Sequence, residues 1–202
     1  MRNFADATSF FLSNQFRIMS NKAYILLAEG FEVIEALAAI DVMQRGGIEC
    51  VRVAIGNDLS VTSSHGIVEC RADLLLTDAD LSDGAALILP GGNPGYINLG
   101  QNEQVREWVL RYYNEGRVVA AICGAPTVLA LSEVARGYRI TCHSSVREQM
   151  KDYNVVGGNV VEDGNLITGA GAGVSVEFAL AVAARLTDEQ TLARIKRGME
   201  VA

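Results

Sequence analysis

The segment that most limits the possible folds is residues 117–126, Arg-Val-Val-Ala-Ala-Ile-Cys-Gly-Ala-Pro. Its apolar, β-branched start is typical of a buried strand, and the strand pattern stops at Cys123. Gly124 and Ala125 then form a sharp turn, and a helix is predicted from Pro126 through Leu131. A strand that runs through a sharp turn directly into a helix predicts an α/β protein.

Cys123 at this turn is the first candidate for a reactive group. Free backbone N–H groups and the positive end of the helix dipole favour a thiolate at the first turn of a helix. The alternative is a buried cysteine that happens to end a strand, because free cysteine is among the most buried residue types. The local pattern leaves both interpretations open.

Apolar runs alternate with amphipathic stretches along the whole chain. Strands are predicted at residues 23–28, 49–55, 85–89, 118–122 and 138–142, with hairpins at 59–70 and 159–168. Helices are predicted from Val33 to Gly46, from the cap Asn102 to Gly116, over about 175–186, and after a cap at Thr187 or Asp188. This alternation predicts a single, doubly wound α/β domain with a mostly parallel sheet.

Composition excludes several classes of protein. Half of the 202 residues are hydrophobic and a fifth are charged, which is typical of one globular domain. The net charge of −7 and the lack of a Lys/Arg cluster argue against nucleic acid as a principal partner. No apolar run is long enough to span a bilayer, so no membrane partner is expected either.

The domain is predicted to cover residues 19–202, because strand-like sequence begins directly after Met19-Ser-Asn. Residues 1–18 are interpreted as a leader or a mis-assigned start; a weak organelle presequence is the alternative. The four cysteines have no paired spacing and there are only two histidines, so no metal site is expected. Free thiols without a secretory signal favour the cytoplasm.

Three further features lie just after predicted strands, at the edge where α/β proteins bind ligands. Glu35 has apolar neighbours at helical spacing, so its carboxyl group either points inward with a raised pKa or is an ordinary solvated charge. Gly91 and Gly92 permit backbone N–H groups to face an anion, or form an ordinary turn. His143 is a candidate imidazole partner of Cys123, or a surface histidine.

No cofactor is expected. The glycine-rich loop 169–173 lacks the third glycine of a dinucleotide-binding fingerprint, and it follows the last strands of the sheet rather than the first. His65 falls in a predicted hairpin loop and receives no catalytic role.

In their order along the chain, residues 26–35, 87–93, 120–126 and 171–180 resemble the ThiJ/PfpI superfamily, and most closely its parkinsonism-associated protein deglycase branch. The resemblance covers nearly everything after the leader. It implies a flavodoxin-like fold with helices on both faces of the sheet, and a homodimer. It also implies that Cys123 is the nucleophile, that Glu35 hydrogen-bonds it, that His143 lies nearby, and that the N–H groups of Gly92 and Gly124 bind the oxyanion.

The chain departs from the pattern of this branch at several positions. Ala170 and His65 stand where relatives often carry arginine, and Ala172 stands where they commonly carry proline. Loss of both arginines is expected to weaken anion recognition at the mouth of the pocket and to change substrate preference. Protease-like members have a histidine directly after the nucleophile, where this chain has Gly124.

The resemblance implies a glyoxalase or protein deglycase, a cysteine enzyme that acts on α-oxoaldehydes or early glycation adducts. The main alternative is an oxidative-stress sensor or chaperone that uses the same thiol, because an exposed thiolate is readily oxidised. A peptidase or amidotransferase-like hydrolase is disfavoured by Gly124.

Overall fold

A computed structural model describes residues 21–201. The predicted leader, residues 1–18, and the alternative start at Met19 lie outside the described residues. One large sheet forms the centre of the domain. Its strands are β1 Lys22–Leu27, β2 Glu49–Ala54, β5 Leu74–Leu75, β6 Ala86–Leu89, β7 Val118–Ile122, β10 Val160–Asp163 and β11 Leu166–Gly169. Their order across the sheet is β10-β11-β7-β6-β1-β2-β5.

The pairs of neighbouring strands in this sheet are parallel, except that β10 and β11 form an antiparallel hairpin. Two small sheets accompany it, one from β3 Ser60–Thr62 and β4 Glu69–Arg71, the other from β8 Arg139–Ile140 and β9 Asn154–Val155. The central strands are buried on both faces, and for that reason they read as continuous apolar runs rather than as alternating patterns.

Six α-helices cover the sheet in the described part of the chain. They are α1 Val33–Arg45, α2 Gly95–Gln101, α3 Glu103–Asn114, α4 Pro126–Leu131, α5 Ser175–Ala184 and α6 Glu189–Gly198. Apolar residues of α1, α5 and α6 share one core cluster, and those of α2, α3 and α4 share the other. Helices therefore lie on both faces, which confirms the predicted doubly wound α/β fold.

The predicted helix caps are present. Asn102 accepts a hydrogen bond from the Val105 N–H at 3.1 Å, and Asp188 accepts one from the Thr191 N–H at 2.7 Å. Pro126 stands at the start of α4, as expected.

Several boundaries differ from the sequence predictions. Helix α2 was not predicted, because glycines at positions 95 and 100 weaken its helical pattern. The strand predicted at 138–142 is reduced to β8, and the helix predicted to end near 186 ends at Ala184. None of the helices between residues 21 and 201 is long and apolar enough to cross a lipid bilayer.

Strands β7, β6 and β1 are neighbours at the middle of the sheet. Cys123 follows the carboxyl end of β7, Gly91 and Gly92 follow that of β6, and the loop into α1 follows that of β1. These three segments therefore meet at one edge of the sheet. This edge is where the functional site is expected in an open α/β sheet.

Candidate active site

Cys123 lies in a strained turn between β7 and α4. Its φ of 64° is in the left-handed region, which costs a non-glycine residue roughly 1–2 kcal/mol. The Cys123 N–H donates to the Gly169 carbonyl at 2.9 Å, and the Cys123 carbonyl accepts from the His143 N–H at 2.8 Å. These two backbone hydrogen bonds hold the turn from both sides, as in the strand-to-helix turns that expose nucleophiles.

Glu35 lies in the first turn of α1 and is 1% exposed. Its Oε2 accepts a hydrogen bond from the Gly91 N–H at 2.7 Å. Its Oε1 is buried and has no hydrogen-bond partner within residues 21–201. The carboxyl group therefore points inward, in agreement with one of the two sequence interpretations, and burial of an unpaired oxygen favours the neutral, protonated form of this group.

Gly91 permits the close approach of Glu35 and Cys123. A Cβ atom at position 91 would lie 2.8 Å from both Cys123 Cβ and Glu35 Oε2, which leaves no room for a side chain. Gly92 has a φ of 92°, and a Cβ there would collide with the Gly30 carbonyl oxygen. Position 91 therefore requires glycine because there is no room for a side chain, and position 92 requires it because of its positive φ.

The Glu35 carboxyl group and the Cys123 thiol are both harder to ionise than usual. Burial raises the pKa of Glu35 to about 7, against the opposing effect of the Gly91 N–H and the Cys123 side chain. Burial also raises the pKa of Cys123 to about 12, and the nearby Glu35 charge adds to the effect. Around neutral pH this pair therefore carries at most one negative charge, with a single proton shared between two acidic groups.

The sequence argument that the start of a helix favours a Cys123 thiolate is corrected here. Helix α4 has only six residues, and the pKa of Cys123 is raised rather than lowered because burial and Glu35 outweigh the local donors. The backbone N–H groups of Gly124 and Gly92 do face the sulfur and act in the lowering direction. A thiolate in this pocket is thus favoured only when the shared proton lies on Glu35.

His143 lies at the exposed rim of the site. Its Nδ1 accepts a hydrogen bond from the Ser145 N–H at 3.2 Å and lies 2.8 Å from the Ser145 hydroxyl. The accepting role of Nδ1 assigns the ring proton to Nε2. In the described structure no hydrogen bond joins the imidazole to the Cys123 side chain, although the two residues are linked through their backbones.

Five of the residues proposed from the sequence line one pocket of about 240 Å³, and Gly91, the sixth, lies behind it with its N–H donated to Glu35. Its lining consists of Glu32, Glu35, Gly92, Asn93, Tyr96, Cys123, Gly124, His143, Ser145 and Ala172. Sequence reasoning missed Tyr96 and Ser145; only the position of Ser145, two residues after His143, gave a signal. His65 does not line the pocket. No group of three metal-ligating side chains occurs among residues 21–201.

Comparison with known proteins identifies the family of this chain. The model of the DJ-1/PfpI family matches residues 21–185. Protein dj-1beta from Drosophila melanogaster is 34% identical over 186 residues, which are 91% of this chain and 99% of that protein. Its crystal structure superimposes with a TM-score of 0.87 and covers 91% of this chain and 100% of that one.

A relative from Caenorhabditis elegans, the glutathione-independent glyoxalase DJR-1.2, is 32% identical over 169 residues, 79% of this chain and 86% of that protein. The fold and the pocket at the end of β7 are those of an α/β protein whose candidate active site is built around a cysteine, Cys123. The chain belongs to the DJ-1/PfpI family, which confirms the resemblance inferred from its motifs.

Proposed function

We propose that this protein is a glutathione-independent glyoxalase and protein deglycase, which needs no cofactor and acts on α-oxoaldehydes or their early glycation adducts. The observation that carries the proposal is the pairing of the Cys123 thiol with the buried Glu35 carboxyl group, beside the N–H groups of Gly92 and Gly124. The glyoxalase among the relatives is consistent with it.

In the first step, Cys123 transfers its proton to Glu35, and the sulfur attacks the aldehyde carbon of methylglyoxal. A C–S bond forms, and the aldehyde oxygen takes the negative charge. The N–H groups of Gly92 and Gly124 stabilise this charge, because donors that are already oriented need no reorganisation during the reaction. Protonation of the oxygen gives a hemithioacetal.

In the second step, Glu35 moves a proton from the former aldehyde carbon to the neighbouring ketone carbon. A carboxyl group with a pKa of about 7 is suited to both halves of this transfer at neutral pH. The first carbon is oxidised to a thioester while the second is reduced to an alcohol, so the electrons balance within the substrate. Water then hydrolyses the thioester to lactate and regenerates Cys123.

His143 has a supporting role in this scheme. Its Nδ1 is occupied by Ser145, so the ring presents Nε2–H at the rim of the pocket and donates to a substrate oxygen rather than accepting the thiol proton. This arrangement also disfavours a peptidase or amidotransferase, which needs an imidazole base on the nucleophile.

The proton-transfer step is tested by turnover in D₂O. If Glu35 exchanges its proton with solvent, the lactate carries deuterium on the carbon that bears the hydroxyl group. Lactate without deuterium at that carbon, together with turnover that persists in Glu35→Gln, would indicate a direct hydride shift and would remove the role given to Glu35. Glu35→Gln lacks the base of both steps, so at neutral pH turnover should be lost and intact-protein mass spectrometry should detect no accumulated methylglyoxal adduct on Cys123.

The second candidate function, an oxidative-stress sensor or chaperone, is favoured by the exposure of the thiol. Cys123 and Cys50 are half-buried, whereas Cys70 and Cys142 are buried. Cys123 differs from Cys50 in lying beside the N–H groups of Gly92 and Gly124. The donors that would bind an oxyanion would also bind a cysteine sulfinate. Mild peroxide should then modify Cys123 before the other three cysteines, and earlier oxidation of another cysteine would contradict this role.

The homodimer and the cytoplasmic location are part of the same proposal. Ile34 and Leu37 on α1 are 55% and 38% exposed, and Ile67 beside the β3–β4 hairpin is 71% exposed. Exposed apolar side chains of this size are common at subunit interfaces. Light scattering after gel filtration should give twice the chain mass, and Ile34→Asp should reduce it.

A further inference from the structure

Tyr96, on helix α2, lies against the turn that carries the nucleophile. A Cβ atom at Gly124 would lie 2.6 Å from Tyr96 Cδ1 and 2.8 Å from Cγ and Cε1, so the ring packs directly on the glycine. The φ of Gly124 is not in the left-handed region, so the backbone would accept alanine there. What requires glycine at position 124 is therefore the aromatic ring.

The same residue lines two cavities. One is the 240 Å³ pocket of Cys123, and the other is a cavity of about 450 Å³. The second cavity is lined by Ile97, Gln101, Thr127, Ala130, Leu131 and Gln149 in addition to Tyr96. Among the described residues, Tyr96 is the one that lines both cavities.

The second cavity suits an apolar group. Ile97, Ala130 and Leu131 supply apolar surface, and the Thr127 hydroxyl donates to the Gly124 carbonyl at 2.7 Å, so it does not need a partner from a ligand. Sites for larger organic ligands usually have volumes of roughly 300–1,000 Å³. The thiol pocket alone is smaller than this range, whereas the two cavities joined would fall within it.

We propose that Tyr96 determines the substrate size of this site by closing the thiol pocket against the neighbouring cavity. α-Oxoaldehydes with a hydrogen or methyl substituent fit on the closed side, and those with an aromatic substituent are excluded until the ring is removed. The substrate class rests on the function proposed above, whereas the closure by Tyr96 is a property of access to Cys123 and is measured without turnover.

Access is tested by alkylation of Cys123 with iodoacetamide, which is small, and N-phenylmaleimide, which carries a ring. The ratio of the two rates at Cys123 is followed by peptide mass spectrometry in the wild type, Tyr96→Ala and Tyr96→Leu. We expect both variants to raise the ratio in favour of the bulky reagent by about tenfold or more, a typical effect of changing the room in an apolar pocket.

Ile97→Ala is the matched control, because Ile97 lies on the same helix and lines only the second cavity. An unchanged ratio in both Tyr96 variants, or an equal rise in Ile97→Ala, would overturn the proposal. Using two replacements guards against a fold defect in one of them, and thermal unfolding identifies such a defect.

A turnover experiment separates this proposal from the proposed function. Tyr96→Ala should raise the ratio of kcat/KM for phenylglyoxal to that for methylglyoxal relative to the wild type. If the wild type converts no aldehyde while the alkylation ratio still shifts, the glyoxalase proposal fails and the closure by Tyr96 stands. If turnover is robust but neither ratio shifts, the closure by Tyr96 fails alone.

Discussion

The Glu35 carboxyl group and the Cys123 thiol come together across Gly91, which is so close to both that a Cβ atom there would lie 2.8 Å from Glu35 Oε2 and from Cys123 Cβ. The two groups arrive from different elements, one from the first turn of α1 and the other from the end of β7. Their shared burial makes them one acidic pair with one ionisable proton in the neutral range.

The first prediction concerns the pH dependence of thiol reactivity. Below pH 7 both groups are protonated, and above it the pair has lost one proton, so a thiolate becomes accessible by transfer to Glu35. The iodoacetamide rate at Cys123 should therefore rise with a midpoint near pH 7. In Glu35→Gln the midpoint should move to higher pH, because the buried thiol must then ionise alone. Equal midpoints would contradict the shared proton.

The second prediction concerns stability. The pKa of Glu35 rises from 4.5 to about 7 on folding, so between these values the folded protein binds more protons than the unfolded chain. Stability from this group is therefore lost as pH rises through that window. Glu35→Gln should resemble the wild type at pH 4 and exceed it by up to about 3 kcal/mol at pH 8. Urea unfolding at both pH values measures this, and a difference independent of pH would argue against it.

The third prediction concerns the spacing of the pair. Gly91→Ala should separate Glu35 from Cys123, slow alkylation at pH 7.5, and lower the free energy of unfolding by about 1–3 kcal/mol through overpacking. Gly157→Ala is the control, because a Cβ there meets nothing within 4 Å and its φ is not in the left-handed region. Similar losses in the two variants would show that the contact at Gly91 is not the cause.

The fourth prediction concerns Tyr96 and Gly124. Gly124→Ala alone should destabilise the protein by about 1–3 kcal/mol, because the new methyl group meets the tyrosine ring. In the Tyr96→Ala background the same change should cost much less, since the obstacle is gone. A double-mutant cycle from urea unfolding gives the coupling, and additive effects would show that the ring does not restrict position 124.

Much of the fold was predictable because its signals are local. The apolar runs of β1, β6 and β7 lie in the sheet core, and Asn102 and Asp188 cap their helices as the side-chain chemistry of these residues suggests. Helix α2 was not predicted because its two glycines lower the helix propensity of its sequence. Its packing against α4, which is a tertiary contact, stabilises it instead. The two-residue strands β8 and β9 are too short to leave a pattern.

The residues of the candidate site and the raised pKa of an inward-pointing Glu35 could be predicted from the sequence, whereas the raised pKa of Cys123 could not. The motifs brought Cys123, Glu35 and the glycines to one sheet edge, yet the direction of the Cys123 pKa depends on burial and on the Glu35 charge. Tyr96 could not be found from the sequence, because its contact with Gly124 joins residues 28 positions apart through tertiary packing alone.

The most direct test of the account is steady-state conversion of methylglyoxal to lactate without glutathione, in the wild type, Cys123→Ser and Glu35→Gln. We predict turnover in the wild type that is lost in both variants, with both variants folded by circular dichroism. Turnover that persists in Glu35→Gln, or a wild type that produces no lactate while Cys123 still reacts with iodoacetamide near pH 7, would contradict the account.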